Sequence, residues 1–436
     1  MIRGLPAVIL SGALLLQSLV VAPMARAEIF DVDVSSSALT LATDSLGQEI
    51  KFGGFSGLYP VPRDRTKTLF YTITDRGPSG DFTSSTAKVY PSPGYSPSIL
   101  KIQLRPGGTA QILEIIPLKK PDGSPITGLP NTCLPNQETA FDLNQQPLAG
   151  DPDGLDVEGL TMDRSGNFWI CEEYRPSICL VTRDGTVRMR LVPQGSVCGS
   201  EQIPTFDILP AALSKRRLNR GFEGIALAGN HRLYAIMQRP LNNPNQTVGN
   251  ASRNVRLVEI DLHAVLSGCH LDQAIRQLLY ITESTFAPQS GVLLSDLFSL
   301  TPRTLLVSER GTDKLFAAKV SDATDITHLE DANGMLIADP TRTIEQLSLA
   351  ELDSLGVQPV LKAEVLPSLK ALDPVLDKCE GVAVVDHTIV LCADNDFNLL
   401  GVNLTTTPAT FILNSPAKLP KIITTPLPKI VFPDDD

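Results

Sequence analysis

Acids recur in this chain at matched places of a repeating pattern, and their spacing points to oxygen-donor chemistry. A segment with Ser or Glu before Gly and then apolar residues is followed, about fifteen residues later, by a β-rich run ending in an acid or amide. The pairs read FSGLYP then LFYTITDRGP, VEGLTMD then NFWICEEYRP, FEGIALA then RLYAIMQRP, CEGVAVVD then TIVLCADND and, more loosely, LLSDLFSL then RTLLVSERG. Aligned on the second strand, one column holds Asp75, Glu173, Gln238, Glu309 and Asp394, and the next holds Arg76, Tyr174, Arg239, Arg310 and Asn395. The matching column at the start of each repeat holds Ser56, Glu158, Glu223, Asp296 or Ser295, and Glu380. Repeats arranged about an axis bring equivalent positions into rings, so acids scattered along the chain converge.

Converging carboxylates repel one another unless a cation or a basic partner compensates. Hard oxygen donors of this kind suit Ca²⁺, which accepts about six to eight oxygens in flexible geometry. Asp75, Glu158, Glu173, Glu223, Glu309, Glu380 and Asp394 are therefore the candidate metal ligands. The five histidines show no zinc-site spacing. Arg76, Arg239 and Arg310 offer planar forks for phosphate or carboxylate oxygens, and with Glu158 and Glu173 they form the candidate catalytic set. Against this stands a purely structural account, in which each acid ties down its own turn and each Arg pairs with an acid of the ring. Tyr174 and Arg175, in EEYRP, are the next candidates to line the mouth. GFSGL around Ser56 lacks the G-x-S-x-G spacing of a nucleophile elbow, and no P-loop or dinucleotide fingerprint occurs. DPDGLDVE, from Asp151, is not an EF-hand loop but offers further carboxylates for calcium.

Strands must position these residues. Short β-branched or alternating runs such as ILKIQL, SICLVT, VRLVEI and TIVLC are separated by Gly, Pro, Asn or Asp turns. The expected fold is all-β: a propeller of six or seven blades closed by strands from both termini, decorated by long insertions. The best helical patterns are LHAVLSGCHLDQAIRQLL and TIEQLSLAELDSLG. One domain is expected over residues 28–436, acting as a monomer.

Met1–Gly4 with one Arg, an apolar stretch from Leu5 to Ala22 and the Ala25–Arg26–Ala27 site read as a signal peptide over residues 1–27, so an extracytoplasmic chain with no membrane anchor is expected. Losing Arg3 and Arg26 takes the net charge from −11 to −13. That charge, with no basic stripe, excludes nucleic acid as a partner. All seven cysteines lie beyond the cleavage site, which suits an oxidising compartment. Cys171 with Cys179 and Cys379 with Cys392 flank hairpins and are candidate disulfides, set against a reading of Cys171 and Cys392 as small core residues. Cys133, Cys198 and Cys269 are left without an assigned pairing.

GGFSGLY with YTITDRG, DGLDVEGLTMDRSGNFWICEEYRP, GFEGIAL, LVSERG and CEGVAV resemble the phytase-like family, extracytoplasmic propellers described as having esterase-like activity of phytase. The resemblance runs from about Gly53 to Asp396, while Gln238 and Asn395 replace the acid and the Arg of their columns. It implies a propeller with family-marked Glu and Asp residues and phosphoesterase activity. The leading expectation is thus a Ca²⁺-dependent phosphoesterase acting on a small phosphate ester or other anionic substrate. A non-catalytic binding propeller for a ligand or protein, or a lactonase-like calcium hydrolase, stand as alternatives.

Overall fold

Each β-rich run carries one or two apolar faces that only a neighbouring layer buries, and stacking sheets around an axis satisfies all of them. The computed structural model describes residues 27–134, 137–284 and 293–433, and among these the runs form five blades. The first comprises Phe55–Pro60, Leu69–Thr74, Ser98–Arg105 and Thr109–Pro117; the second Val157–Met162, Phe168–Glu172, Ser177–Val181 and Val187–Pro193, with Thr205–Leu209 added at its edge. Phe222–Ala228, Arg232–Met237, Asn254–Asp261 and Ile275–Ile281 make the third, and Leu294–Thr301, Thr304–Glu309, Lys314–Lys319 and Leu361–Leu366 the fourth. The fifth takes Cys379–Val385, Thr388–Ala393 and Lys421–Pro426 from the end of the chain and Glu28–Asp33 from its beginning. The first-named strand of each blade packs against its counterparts in the two neighbouring blades, closing a five-membered ring about the axis.

The propeller expectation is met, but the expected count of six or seven blades is not. The unassigned strands at the two ends make no blade of their own. Glu28–Asp33 runs antiparallel to Lys421–Pro426 as the outer strand of the fifth blade, and parallel to Thr109–Pro117 of the first, so one segment closes the ring. Other leftover strands form small sheets outside the blades: Gly80–Ser84 with Ala87–Val89, Thr139–Phe141 and Pro147–Leu148, Thr40–Thr43 with Glu49–Lys51, and Leu399–Asn403 with Thr410–Leu413. The helical patterns shrink. Leu262–Ser267, capped by Asp261, is a helix, but the following Ile275–Ile281 is the outer strand of its blade; Leu349–Ser354 begins with a Ser348–Glu351 capping box. The expected signal peptide lies, up to residue 26, outside the described residues. No helix among the described residues is long and apolar enough to cross a membrane.

The hairpin disulfides are not formed. Cys171 pairs in register with Ile178 and Cys179 with Ile170, so the two thiols lie on opposite faces of the blade and enter different core clusters. The same alternation separates Cys379 from Cys392. The bridge is instead Cys133–Cys198, across 65 residues, joining two insertions. Among the five free cysteines only Cys269 is exposed. A thiol reagent is therefore expected to label one cysteine in the native protein and four more after unfolding. Native labelling of two or more would contradict this packing.

Candidate functional site

The acid columns end at one mouth, and every inner strand carries an irregularity of pairing at its column position or beside it. Pairing skips at Glu158, Glu223 and Glu380, each between a residue opposite the end of the second strand and a glycine that rejoins the ladder. A bulge of this sort re-aims one side chain without ending the strand. The glycines belong to the axis. A Cβ on Gly224 would lie 2.6 Å from Leu297 N and Ser295 O of the next blade, so only glycine permits this approach. In the fourth blade the glycine position is taken by Asp296. Its carboxylate is fully buried and accepts backbone N–H groups from Leu58 (3.2 Å), Val382 (2.9 Å) and Leu297 (2.8 Å), with the Ile225 amide also directed at it. Asp296 thus pins four inner strands, and Ser295 is the column residue.

A second backbone contact fixes the other column. The amides of Asp75, Glu173, Gln238 and Asp394 donate to the carbonyls of Gly54, Asp156, Gly221 and Lys378, at 2.7–3.1 Å, and the corresponding bond in the fourth blade is Arg310 N to Leu293 O, at 2.8 Å. Arg310, not Glu309, is therefore the equivalent of Glu173. Glu309 occupies the inward position of Glu172, and a slip of one residue turns a side chain to the other face. It accepts from Tyr280 Oη (2.7 Å), the Glu283 amide (3.2 Å) and Lys362 Nζ (2.5 Å), and does not line the mouth. Glu172 likewise serves its own turn, accepting the Arg175 amide at 2.8 Å, and burial pushes it up to about 8.

The mouth is a cavity of about 680 Å³. Asp75, Glu158, Glu173, Glu223, Glu380, Asp394, Arg76 and Arg310 line it, as the columns predict. Arg239 does not. It is buried close to Arg217 and Arg220, and burial together with their repulsion lowers it to about 10. Tyr174 and Arg175 are also turned inward, Tyr174 Oη accepting the Glu138 amide and Arg175 bonding Ser196 O and Glu201. Asp151 holds Thr127 and Lys120 outside the mouth. The repeat columns leave out Asp156, Arg220 and Lys378, which all line the mouth; of these only Asp156 is foreshadowed, as part of DPDGLDVE, the segment read as able to give calcium a carboxylate.

Asp156, Glu158 and Glu173 each place a carboxylate oxygen within 4.8 Å of the others, a set that fits one hard cation. Two further observations favour such an ion. Gln238 Oε1 is buried without a hydrogen-bond donor, and Asp156 Oδ2 has none either, although Arg76 Nε faces it as an ion pair at 3.5 Å; buried acceptors left without a donor are costly unless something positive meets them. Glu158 and Glu223 form no ion pair among the described residues. Asp75 likewise forms no ion pair among the described residues and accepts the Gly77 amide at 2.7 Å, whereas Arg220 Nη1 lies 3.0 Å from Glu173, Arg310 pairs with Glu380, Lys378 with Asp394 and Asp396, and Arg76 with Glu138 (Nη1, 2.7 Å) and Asp156 (Nε, 3.5 Å). A larger cavity of about 780 Å³, at the opposite end of the inner strands, is lined by Tyr59, Tyr71, Met162, Phe168 and exposed arginines, and no acid column reaches it.

The family model described as esterase-like activity of phytase matches residues 50–397, the span that carries all five pairing irregularities and both columns. The chain belongs to the phytase-like family. An uncharacterized secreted protein of Arthroderma benhamiae is 26% identical over 201 residues, covering 37% of this phytase-like chain and 39% of that relative. The match thus spans well under half of the relative's length. Among solved structures, hydrazine synthase of Kuenenia stuttgartiensis is similar with a TM-score of 0.36 at 10% identity, over 80% of this chain and 81% of that one. A virginiamycin B lyase from Staphylococcus aureus gives 0.31 at 11% identity, over 92% and 100%. The propeller itself is read from the sheet order above.

Electrostatics of the phytase-like mouth carry a pH prediction. Burial, opposed by Arg220, pushes Glu173 up to about 7. Burial and then the neighbouring acids hold Asp75, Glu158 and Glu223 well above the ordinary carboxylate range. Groups raised in the folded state favour the proton-bound form, so their stability contribution is complete below the unfolded value of about 4 and is lost as pH rises through about 7 and beyond. With chelator present, the melting temperature is expected to fall between pH 5 and pH 8, and saturating Ca²⁺ should shrink that fall by compensating the ionised acids. A melting temperature rising with pH in chelator would contradict the ring's electrostatics.

Proposed function

We propose that this chain is an exported hydrolase of phosphate esters, working with a calcium ion held by Asp156, Glu158 and Glu173. The observation that carries the reading is the clustering of these three carboxylates within 4.8 Å, in a mouth where Gln238 Oε1 is buried without a donor. A bound Ca²⁺ would supply charge neutralisation to phosphoryl oxygens. The chain's own groups do the rest. Glu173, whose carboxylate lines the cavity 3.0 Å from Arg220 Nη1, is placed to accept a proton from an attacking water. Arg310 and Arg220 border the same cavity and have further N–H donors to orient an anionic group, and Arg76, anchored by Glu138, holds Asp156 through its backbone amide at 3.3 Å. Asp75 and Glu223 complete the oxygen-rich wall, with Glu380 and Asp394 keeping Arg310 and Lys378 in place. Export is supported by the N-terminal pattern and by the secreted relative.

A second reading, a binding propeller without catalysis, is favoured by the ion pairs that match Arg76, Arg220, Arg310 and Lys378 to acids. The two separate in a panel of phosphomonoesters, phosphodiesters and lactones given to the mature chain with Ca²⁺ and after chelation, beside Glu173→Gln. Ca²⁺-dependent phosphoester turnover lost in a folded variant supports the proposal. Turnover of lactones alone redirects the reaction class, and no turnover with any substrate favours the binding propeller.

A further inference from the structure

All apolar side chains in the lining of the mouth come from one stretch of chain. Phe397, Leu399, Leu400, Val402 and Ile412 belong to the segment after the fifth blade's second strand, whereas the rest of the wall is charged residues, Ser, Asn, Gln and Gly. The segment is the hairpin of Leu399–Asn403 with Thr410–Leu413. One face of it is accounted for: Leu399 and Phe411 are buried in the core cluster that contains Phe52 and Phe55. The other face ordinarily carries polar residues, since a hairpin with one buried face shows its alternate positions to water. Here those positions are Leu400 and Ile412, 65% and 47% exposed. Gly401 stands opposite Ile412 in the register, and the pairing skips Leu400, which brings the two side chains to one ledge. Neighbouring exposed aliphatic residues at the rim of a polar cavity mark a place where something apolar comes to rest.

Charge narrows what that is. Each cation in the lining already has an acid: Arg76 has Glu138, Arg220 has Glu173, Arg310 has Glu380, and Lys378 and Lys88 have Asp394 and Asp81. Nine carboxylates face five cationic side chains, so a substrate with several phosphates meets no surplus of positive charge. We propose that the substrate is an amphipathic ester with a single anionic group, whose alkyl or aryl part lies on the ledge of Leu400 and Ile412. The inference rests on the hydrolase reading above for the word substrate, and on the ledge alone for the apolar part.

The test uses straight-chain alkyl phosphates from methyl to hexyl as substrates with Ca²⁺, and the matching alkylphosphonates, which cannot be hydrolysed, in calorimetry. Partial burial of each added methylene should raise kcat/KM, and phosphonate affinity, by about two- to fourfold until the ledge is covered. In a Leu400→Ser, Ile412→Ser double variant the gain per methylene should fall to nearly nothing. Both residues are exposed, so the fold has little stake in them. Turnover with no dependence on chain length, or a slope unchanged in the variant, overturns the ledge and leaves the hydrolase reading standing. Phosphonate affinity that climbs with chain length, with no turnover of any ester, sustains the ledge and overturns the hydrolase. Tighter binding of a polyphosphorylated ester than of hexyl phosphonate overturns the substrate class.

Discussion

Asp296→Ala is expected to destabilise the protein by several kcal/mol, on the order of 3–5, because the amides of Leu58, Val382 and Leu297 lose their acceptor at the buried centre of the ring. A buried donor without a partner costs about 1–3 kcal/mol, and inner strands of three blades are affected together. The sharper comparison is Asp296→Gly. That change gives the fourth blade the glycine present in the other four, so if Asp296 were only a tolerated irregularity it would be harmless. If the carboxylate is the pin, glycine should be as damaging as alanine, since neither accepts a hydrogen bond through its side chain. Denaturant unfolding of both variants decides this; midpoints within error of the parent would remove Asp296 from the account of how five inner strands close.

The second large effect separates two glutamates that look alike in sequence. Glu158→Gln should lower Ca²⁺-dependent turnover about a hundredfold or more, since it neutralises a carboxylate of the three-acid cluster at nearly constant shape. Glu309→Gln should change turnover by less than about threefold. Its carboxylate sits behind the blade on Tyr280 and Lys362, so the cost falls on stability, where Lys362 loses a buried partner. Rate and melting temperature are thus predicted to move in opposite patterns. Equal loss of turnover in the two variants would mean that Glu309 acts at the mouth after all.

Much of this arrangement was legible before the fold was known, and the errors have physical causes. Five copies of a motif mark five blades, and the Glu-Gly and acid positions fall on one mouth because repeat symmetry carries equivalent residues to equivalent places. The blade count was overestimated because Glu28–Asp33 shares no motif with the blade it completes; strand addition uses backbone hydrogen bonds, which leave little trace in side-chain pattern. The misplaced Glu309 comes from ITDRG and VSERG looking alike. Their registers differ by one residue, as the bond from Arg310 N to Leu293 O and the pairing of Glu309 with Leu294 reveal. The hairpin cysteines were misjudged for a related reason: flanking a turn symmetrically is not the same as facing across it, and Cys171 and Cys179 point to opposite sides. Asp156 falls outside the repeat columns because it precedes the inner strand, and only the DPDGLDVE segment that contains it pointed to calcium. The Cys133–Cys198 bridge joins two insertions, whose mutual approach no local pattern encodes.

The most direct test is calorimetric titration of Ca²⁺ into the chelator-stripped protein near neutral pH, repeated with Asp156→Asn and Glu158→Gln. Saturable binding in the parent that is lost in both variants, each still folded, is the predicted result. No binding in the parent, or binding that survives both substitutions, would contradict a cation site at the mouth of the propeller.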